Sequence, residues 1–251
     1  MRYLFSPGCE SVLTRLISYR PLLGFDFDGT LAPLVERPVH ARLRSSTRKL
    51  LTTLASRVPV VVISGRALDD LRPRFHDIPI AGFSGNHGIE PWGMNPDTAR
   101  IVQEWVAMLR AQFGHLPGLE VQDKRWSVTV DYRHVPDLEE TERRLAAFAR
   151  TLPSVRVLGG RHADLNLAPQ GPHTKGSALR KHLTQLRRDA ALYVGDDRTD
   201  EDAFALPLER LVGVRIGRRA GSHARYFLHE QAEIDRLMET LIALLPVQGR
   251  T

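Results

Sequence analysis

The sequence predicts an α/β protein: a Rossmann-like core built on a parallel sheet, interrupted by a smaller α+β domain. Three observations predict it. Apolar runs at 21–25, 58–63 and 190–194 each stop at a polar cluster. Amphipathic segments alternate with these runs near both ends of the chain, as helices alternate with strands in a parallel sheet. Between Pro91 and Pro172 the rhythm changes to helix, strand, strand, twice over.

The elements follow in order. Ser11–Ser18 fits a helix and Pro21–Phe25 a short strand. Leu43–Arg57 is amphipathic. Val58–Ile63 is β-branched and apolar, as a strand buried on both faces must be. Ala67–Phe75 reads as a short helix and Ile80–Phe83 as another strand. After the joint Pro91–Pro96, a helix is expected over Asp97–Phe113 and strands over Leu119–Asp123 and Trp126–Tyr132. In the second of these, Trp126, Val128, Val130 and Tyr132 share one face; Ser127, Thr129 and Asp131 share the other. A helix follows over Asp137–Leu152, with Asp137 and Glu140 spaced as a capping box, then strands over Val155–Leu158 and Ala163–Leu167. Past the joint Ala168–Pro172 come a helix over Thr174–Arg187, a strand over Ala190–Val194 and a helix over Thr199–Leu206. Strands over Val212–Ile216 and Tyr226–Leu228 and a helix over Glu230–Leu245 complete the chain. The expected domains are a core, 1–95 with 170–251, and an inserted domain, 96–169.

Composition excludes several classes. A chain of 251 residues buries a sizeable core without disulfide staples. No apolar run approaches the ~20 residues of a membrane span. The first sixteen residues hold no apolar stretch long enough for a secretory signal, so a cytoplasmic location is expected. The single Cys9 makes neither an internal disulfide nor a thiolate metal cluster. Net charge is +6, from 31 Arg and 4 Lys against 29 acids. The densest basic pieces are Arg187-Arg188 and Arg215–Arg219; no run of five like charges occurs, and aromatics are 7% and scattered. Neither a nucleic-acid partner nor a membrane partner is expected. The expected state is a monomer acting on a small molecule.

The chemistry sits where the apolar runs stop, at Asp26-Phe27-Asp28-Gly29-Thr30, Ser64-Gly65-Arg66 and Gly195-Asp196-Asp197-Arg198-Thr199-Asp200-Glu201-Asp202. In an open parallel sheet the carboxyl ends of the strands bind ligands. Asp26, Asp28, Asp196, Asp197 and Asp200 gathered at one edge repel one another, and a hard divalent cation such as Mg²⁺ relieves that repulsion. Lys175 falls in the first turn of a helix, where the macrodipole disfavours a cation, so an anionic neighbour is expected. Backbone N–H groups of Gly29, Thr30 and Gly65, with the Ser64 hydroxyl, would complete a phosphate cradle. Each feature has a plainer reading: Asp-Gly as a turn, Asp200–Asp202 as the acidic start of a helix capped by Thr199, Lys175 as a surface residue.

Asp26-Phe-Asp-Gly-Thr-Leu31, Ser64, Lys175 and Gly195-Asp-Asp-x-x-Asp200 resemble the four motifs of the haloacid dehalogenase superfamily. Within it, Asp26–Pro33, Ile63–Arg66, Gly85-Asn-His-Gly-Ile-Glu90, Lys175–Leu179 and Gly195–Phe204 are similar to the trehalose-6-phosphate phosphatase family, over nearly the whole chain. The resemblance implies a haloacid dehalogenase-type core with an αββαββ cap. It implies a phosphatase of a phosphosugar, trehalose 6-phosphate, as the last step of trehalose biosynthesis, with Mg²⁺ as cofactor. Asp26 would be the nucleophile and Asp28 the acid and base. Asp26, Asp196 and the Asp28 carbonyl would ligate the metal, supported by Asp197 and Asp200. Ser64 and Lys175 would hold phosphoryl oxygens, with Gly29, Thr30, Gly65 and Arg66 around them. The cap would exclude water and select the sugar.

The departures lie in the cap. Where the family carries Val-Glu-x-Lys, this chain has Val121-Gln122-Asp123-Lys124. A second family acid aligns with Asn166, its following Arg with Ala168, and a His before Tyr-Arg with Asp131. Gln122, Lys124 and Asn166 are the expected sugar contacts; His87 and Arg133 read either as substrate contacts or as hinge residues and structural hydrogen-bond partners. Amides in place of acids weaken hydrogen bonds by about 1–3 kcal/mol in sum, suit a different phosphorylated glycoside, or are offset by other cap residues.

Overall fold

The computed structural model describes residues 1–159 and 163–246; segments 160–162 and 247–251, which fall inside the expected domain ranges, lie outside them. The chain divides into two compact units, Met1–Gly88 with Thr174–Thr251, and Ile89–His173.

The first unit holds β1 (Arg2–Tyr3), α1 (Glu10–Ser18), β2 (Leu22–Phe25), α2 (Ser45–Ala55), β3 (Val60–Ile63), α3 (Leu68–Leu71) and β4 (Gly82–Ser84). The second unit follows with α4 (Pro96–Phe113), β5 (Glu120–Asp123), β6 (Val128–Asp131), α5 (Leu138–Ala149), β7 (Val155–Gly159) and β8 (Asp164–Pro169). The first unit then resumes with α6 (Lys175–Gln185), β9 (Ala190–Gly195), α7 (Glu201–Phe204), β10 (Arg210–Ile216), β11 (Tyr226–Leu228) and α8 (Ile234–Leu244).

Seven strands form one parallel sheet in the order β1-β11-β10-β9-β2-β3-β4. Every residue of β2, β3 and β9 is buried, because helices cover both faces. Leu23, Phe25, Val60, Val62, Leu192 and Val194 face the core shared with α1, α2 and α8. The alternate residues face the other way, where Gly24 lies against Tyr193 and Leu179 of α6. Strand order reverses between β2 and β9, which opens the ligand-binding crevice at their carboxyl ends.

The second unit is a four-stranded antiparallel sheet, β5-β6-β8-β7. Val128, Val130 and Leu167 pack on Val102, Trp105, Leu109 and Phe113 of α4 and on Leu145 of α5. Asn95 caps α4 by accepting the Thr98 N–H, with Pro96 just inside. Asp137 accepts the Glu140 N–H at 2.9 Å to start α5.

One strand is added and three expectations change. β1 pairs with β11 although two residues carry no readable pattern. The expected helix Ala67–Phe75 is α3 followed by a 3-10 turn, Arg72–Phe75, because Pro73 lacks the N–H that an α-helix would use. The last helix opens as a 3-10 turn, Gln231–Glu233, before α8. Thr199 does not cap the acidic helix: it lies within a 3-10 turn, Arg198–Asp200, that Asp197 opens in a reciprocal capping box with Asp200, and α7 follows with Asp200 at its own cap position.

His182 of α6 is buried beside Gly82, its Nε2 3.0 Å from the Ser84 hydroxyl. Burial pushes its imidazole down to about 4. A histidine with a depressed folded pKa is stable neutral and loses that stability as pH falls through the window from its unfolded value toward 4. Lowering pH from about 7 to about 5 is expected to remove about 2 kcal/mol that a His182→Gln protein does not lose. Urea unfolding at the two pH values checks this; equal losses in both proteins would refute it.

Candidate active site

Asp26 follows β2 directly, its N–H donating to Val194 O of β9 at 2.9 Å. Its own Oδ1 accepts the Phe27 N–H at 2.7 Å, and Oδ2 lies 3.0 Å from Lys175 Nζ. Lys175 begins α6 after the Thr174 cap, and its ammonium also reaches Asp200 Oδ1 at 2.8 Å. The anionic neighbours expected of a cation at a helix start are therefore Asp26 and Asp200. Burial alone would push the Lys175 ammonium down; Asp200 and Asp26 outweigh it and hold it above its ordinary value. Burial pushes the Asp26 carboxyl up to about 7 against the pull of Lys175, with Asp200 and Asp28 adding to the rise.

Asp200 is saturated. Oδ1 takes Lys175 and the Tyr193 hydroxyl, both at 2.8 Å; Oδ2 takes the N–H groups of Asp196 at 3.0 Å and Asp197 at 2.8 Å. Four donors leave it to shape the loop and place Lys175. Asp196 faces the turn after β2: Thr30 Oγ1 donates to its Oδ1 at 3.3 Å. A Cβ on Gly29 would fall 1.9 Å from Asp196 Oδ2, and Gly29 has φ +77°, so only glycine serves there.

Asp26, Asp196 and Asp200, all buried, bring carboxylate oxygens within 4.8 Å of one another. Three carboxylates against one ammonium leave excess negative charge out of water. With Asp200 taken up by its four donors, Asp26 and Asp196 offer the carboxylate oxygens, an all-oxygen set that fits a hard divalent cation.

The structure gathers Asp26, Asp28, Gly29, Thr30, Ser64, Gly65, Arg66, His87, Lys175, Asp196, Asp197 and Asp200 in one unit. Two of the expected cradle donors are used elsewhere. The Gly29 N–H bonds Ala32 O at 2.8 Å and the Thr30 N–H bonds Phe27 O at 3.3 Å, because the tight turn after Asp28 closes on them. Ser64 is fully buried, and its hydroxyl accepts the Arg66 N–H at 3.2 Å. His87 lies over Gly65, where a Cβ would meet its ring at 2.4 Å, and its N–H bonds Ser64 O. The Arg66 guanidinium engages both Asp28 oxygens.

In the second unit, strand register places Gln122 opposite Thr129 and Thr129 opposite Asn166. The three form one row across the sheet, on the face away from α4 and α5. Thr129 Oγ1 donates to Asn166 Oδ1 at 2.6 Å, and Asn166 Nδ2 donates to Asp164 at 2.9 Å. Arg133 wraps Asp131, with Nε 3.0 and 3.1 Å from its two oxygens. Burial pushes the Asp131 carboxyl up, but Arg133 outweighs it and holds it below its ordinary value. Lys124 stands two residues past Gln122, its N–H bonded to Ser127 O.

Sequence reasoning missed three residues. Arg215, counted there in a basic run, is buried: it donates to the carbonyls of Asp196 at 2.5 Å and Asp197 at 2.9 Å, and to Glu201 at 3.0 Å. Tyr193 holds Asp200, and Thr129 joins the Gln122 row. The signal for the first two was a polar group inside an otherwise apolar strand.

A parallel doubly wound core with an aspartate cluster at its switch point, plus a separate antiparallel sheet, is the fold of the haloacid dehalogenase phosphatases. A HAD subclass IIB sugar phosphatase matches it at TM-score 0.61, 15% identical, covering 90% of this chain and 100% of that one. The C-terminal domain of trehalose-6-phosphate phosphatase from C. albicans matches at TM-score 0.77, 21% identical, covering 94% and 98%. The trehalose-phosphatase family model matches residues 24–230, and the chain belongs to that family. A trehalose-phosphate phosphatase from Mycobacterium bovis is 36% identical over 206 residues, 75% of this chain and 52% of the relative. The chain thus spans about half the length of the curated relatives it matches. Among the described residues no helix is long and apolar enough to cross a membrane.

Proposed function

We propose that this chain hydrolyses trehalose 6-phosphate to trehalose and phosphate, with Mg²⁺ bound, through a phosphorylated Asp26. The observation that carries the reading is the buried Asp26–Lys175–Asp200 triad beside Asp196 at the carboxyl edge of the sheet. Asp26, Asp196 and the Asp28 carbonyl would hold the metal, with Asp197 and Asp200 shaping its loop through Arg215 and Tyr193. Bound there, the cation supplies charge neutralisation for the incoming phosphoryl group.

Asp26 attacks phosphorus; the bond to the sugar oxygen breaks, and Asp28 gives that oxygen a proton. Water then attacks the phosphorus, Asp28 takes the water's proton, and the bond to Asp26 breaks to release phosphate. Lys175 and Ser64 steady the phosphoryl oxygens as charge redistributes. Gln122 and Asn166, with Thr129 between them in one row, and Lys124 choose the sugar.

A second reading keeps this chemistry on another phosphosugar. It rests on the uncharged Gln122 and Asn166, the latter already bonded to Thr129 and Asp164. Phosphate release from trehalose 6-phosphate and from a panel of phosphosugars decides. The expected result is selective release from trehalose 6-phosphate with Mg²⁺, abolished by EDTA. A better rate on another phosphosugar would transfer the substrate to the second reading. Undiminished release in EDTA would remove the metal from either.

A further inference from the structure

Arg66 meets Asp28 in a two-pronged pair: Nε lies 2.7 Å from Oδ2 and Nη2 2.7 Å from Oδ1. With both oxygens held, the plane of the carboxylate is set. The guanidinium is held on three further sides. Nη1 reaches Asp70 Oδ2 at 2.6 Å, Nη2 reaches the Pro38 carbonyl at 2.7 Å, and its carbon sits 5.2 Å from the centre of the Phe27 ring. Asp70 is in turn gripped through its other oxygen by Arg74 at 2.6 Å.

The pair is uneven in burial. The Arg66 side chain is 9% exposed and the Asp28 side chain 34%. An ion pair between two mobile surface chains contributes little. Here Arg66 is the more buried partner and is held also by Asp70 and the Pro38 carbonyl, so its fork sets the geometry in which Asp28 is met. The sequence reading placed Arg66 near the phosphoryl group; its bonds in the structure run to Asp28, Asp70 and the Pro38 carbonyl.

We infer that Arg66 is a positioning residue for Asp28. It sets the aim of the carboxylate that moves the proton, and Asp70 and the Pro38 carbonyl set the aim of Arg66. In the reaction proposed above Asp28 touches the substrate, and Arg66 acts through it. The inference rests on the proton-transfer role proposed above for Asp28. Lysine does not replace Arg66, because a single ammonium grips one oxygen where the fork grips two.

The test uses two leaving groups. A sugar alkoxide departs only as it is protonated, whereas p-nitrophenolate departs unprotonated. First-turnover release of the leaving group is measured by rapid quench with Mg²⁺, from the best phosphosugar of the panel and from p-nitrophenyl phosphate, and the ratio of the two rates is read. Thermal unfolding of each variant runs alongside.

Asp28→Asn is expected to lower the ratio by ~10²–10⁴. Arg66→Gln and Arg66→Lys are expected to lower it by roughly 10- to 100-fold, the scale of a displaced catalytic group. In the Asp28→Asn background, Arg66→Gln is expected to lower the ratio no further, since the two act as one unit. Should Arg66→Gln fail to fold, Asp70→Asn, which loosens Arg66 from one side, carries the test with the same direction and a smaller size.

If Asp28→Asn lowers the ratio and the Arg66 variants slow both substrates alike, Arg66 serves the fold or the phosphoryl group and the inference is overturned. A further drop from Arg66→Gln in the Asp28→Asn background overturns it too. An unchanged ratio in Asp28→Asn itself overturns the proton-transfer reading and this inference with it.

Discussion

Asp26→Asn is expected to lose phosphate release by ~10⁴-fold or more while keeping its fold. Asparagine fills the same volume but cannot carry the phosphoryl group through the proposed intermediate. The fold is expected to survive because the burial that pushes the Asp26 carboxyl up to about 7 marks its charged form as unfavourable there. An acid whose folded pKa lies above its unfolded value loses stability as pH rises between the two. At pH 7 without metal, the amide relieves that loss, and Lys175 keeps Asp200 as its partner at 2.8 Å. The unfolding temperature of Asp26→Asn in EDTA is therefore expected to equal or exceed that of the unaltered chain. An Asp26→Asn protein with ordinary turnover would end the mechanism; a large fall in unfolding temperature would end the charge argument.

Lys175→Met carries the second large effect, and it strikes both fold and chemistry. The ammonium is 2% exposed and lies between Asp26 and Asp200, which are 6% and 0% exposed. Removing it leaves two buried carboxylates without their shared cation. Loss of one partner from a buried pair costs about 3–5 kcal/mol, which at this chain length is a fall of roughly 6–20 °C in unfolding temperature. Removing Asp200 as well, in Lys175→Met/Asp200→Asn, is expected to return part of that loss, because the stranded charge goes with it. Turnover is expected to fall ~10²–10³-fold through the missing phosphoryl contact. Calorimetry and phosphate release check the two halves. A Lys175→Met protein as stable as its parent would mean that Asp26 and Asp200 need no buried partner.

The two effects separate roles that the motif alone merges. Asp26 is the proposed nucleophile, and its substitution is expected to leave the fold intact. Lys175 holds the acids together whether or not substrate is present. Asp200 belongs with Lys175: its four donors spend it on structure. Arg215 and Tyr193 extend the same support, one beneath the Asp196-Asp197 backbone and one beneath Asp200.

Much of this was legible in the chain itself. Strands such as Val60–Ile63 and Ala190–Gly195 announce themselves because a parallel strand covered on both faces must be apolar throughout. The polar clusters that end them mark the ligand edge for the same reason: charge cannot continue into the sheet. Lys175 at a helix start announced an acidic neighbour by the sign of the helix dipole. What the chain did not disclose depends on partners far away in sequence. Arg215 reads as surface charge until β10 lies beside β9 and carries its guanidinium to the Asp196 carbonyl. Thr129 reads as one more residue of a polar face until register sets it between Gln122 and Asn166. The pairing of Arg66 with Asp28 is not legible until the turn after β2 brings the two together across 38 residues. Local sequence decides which segments are strands, helices and turns, because burial pattern and capping act over a few neighbours. Which donor meets which acceptor is decided only when the sheet assembles, because hydrogen bonds of 2.7 Å require positions that strand order and register alone supply.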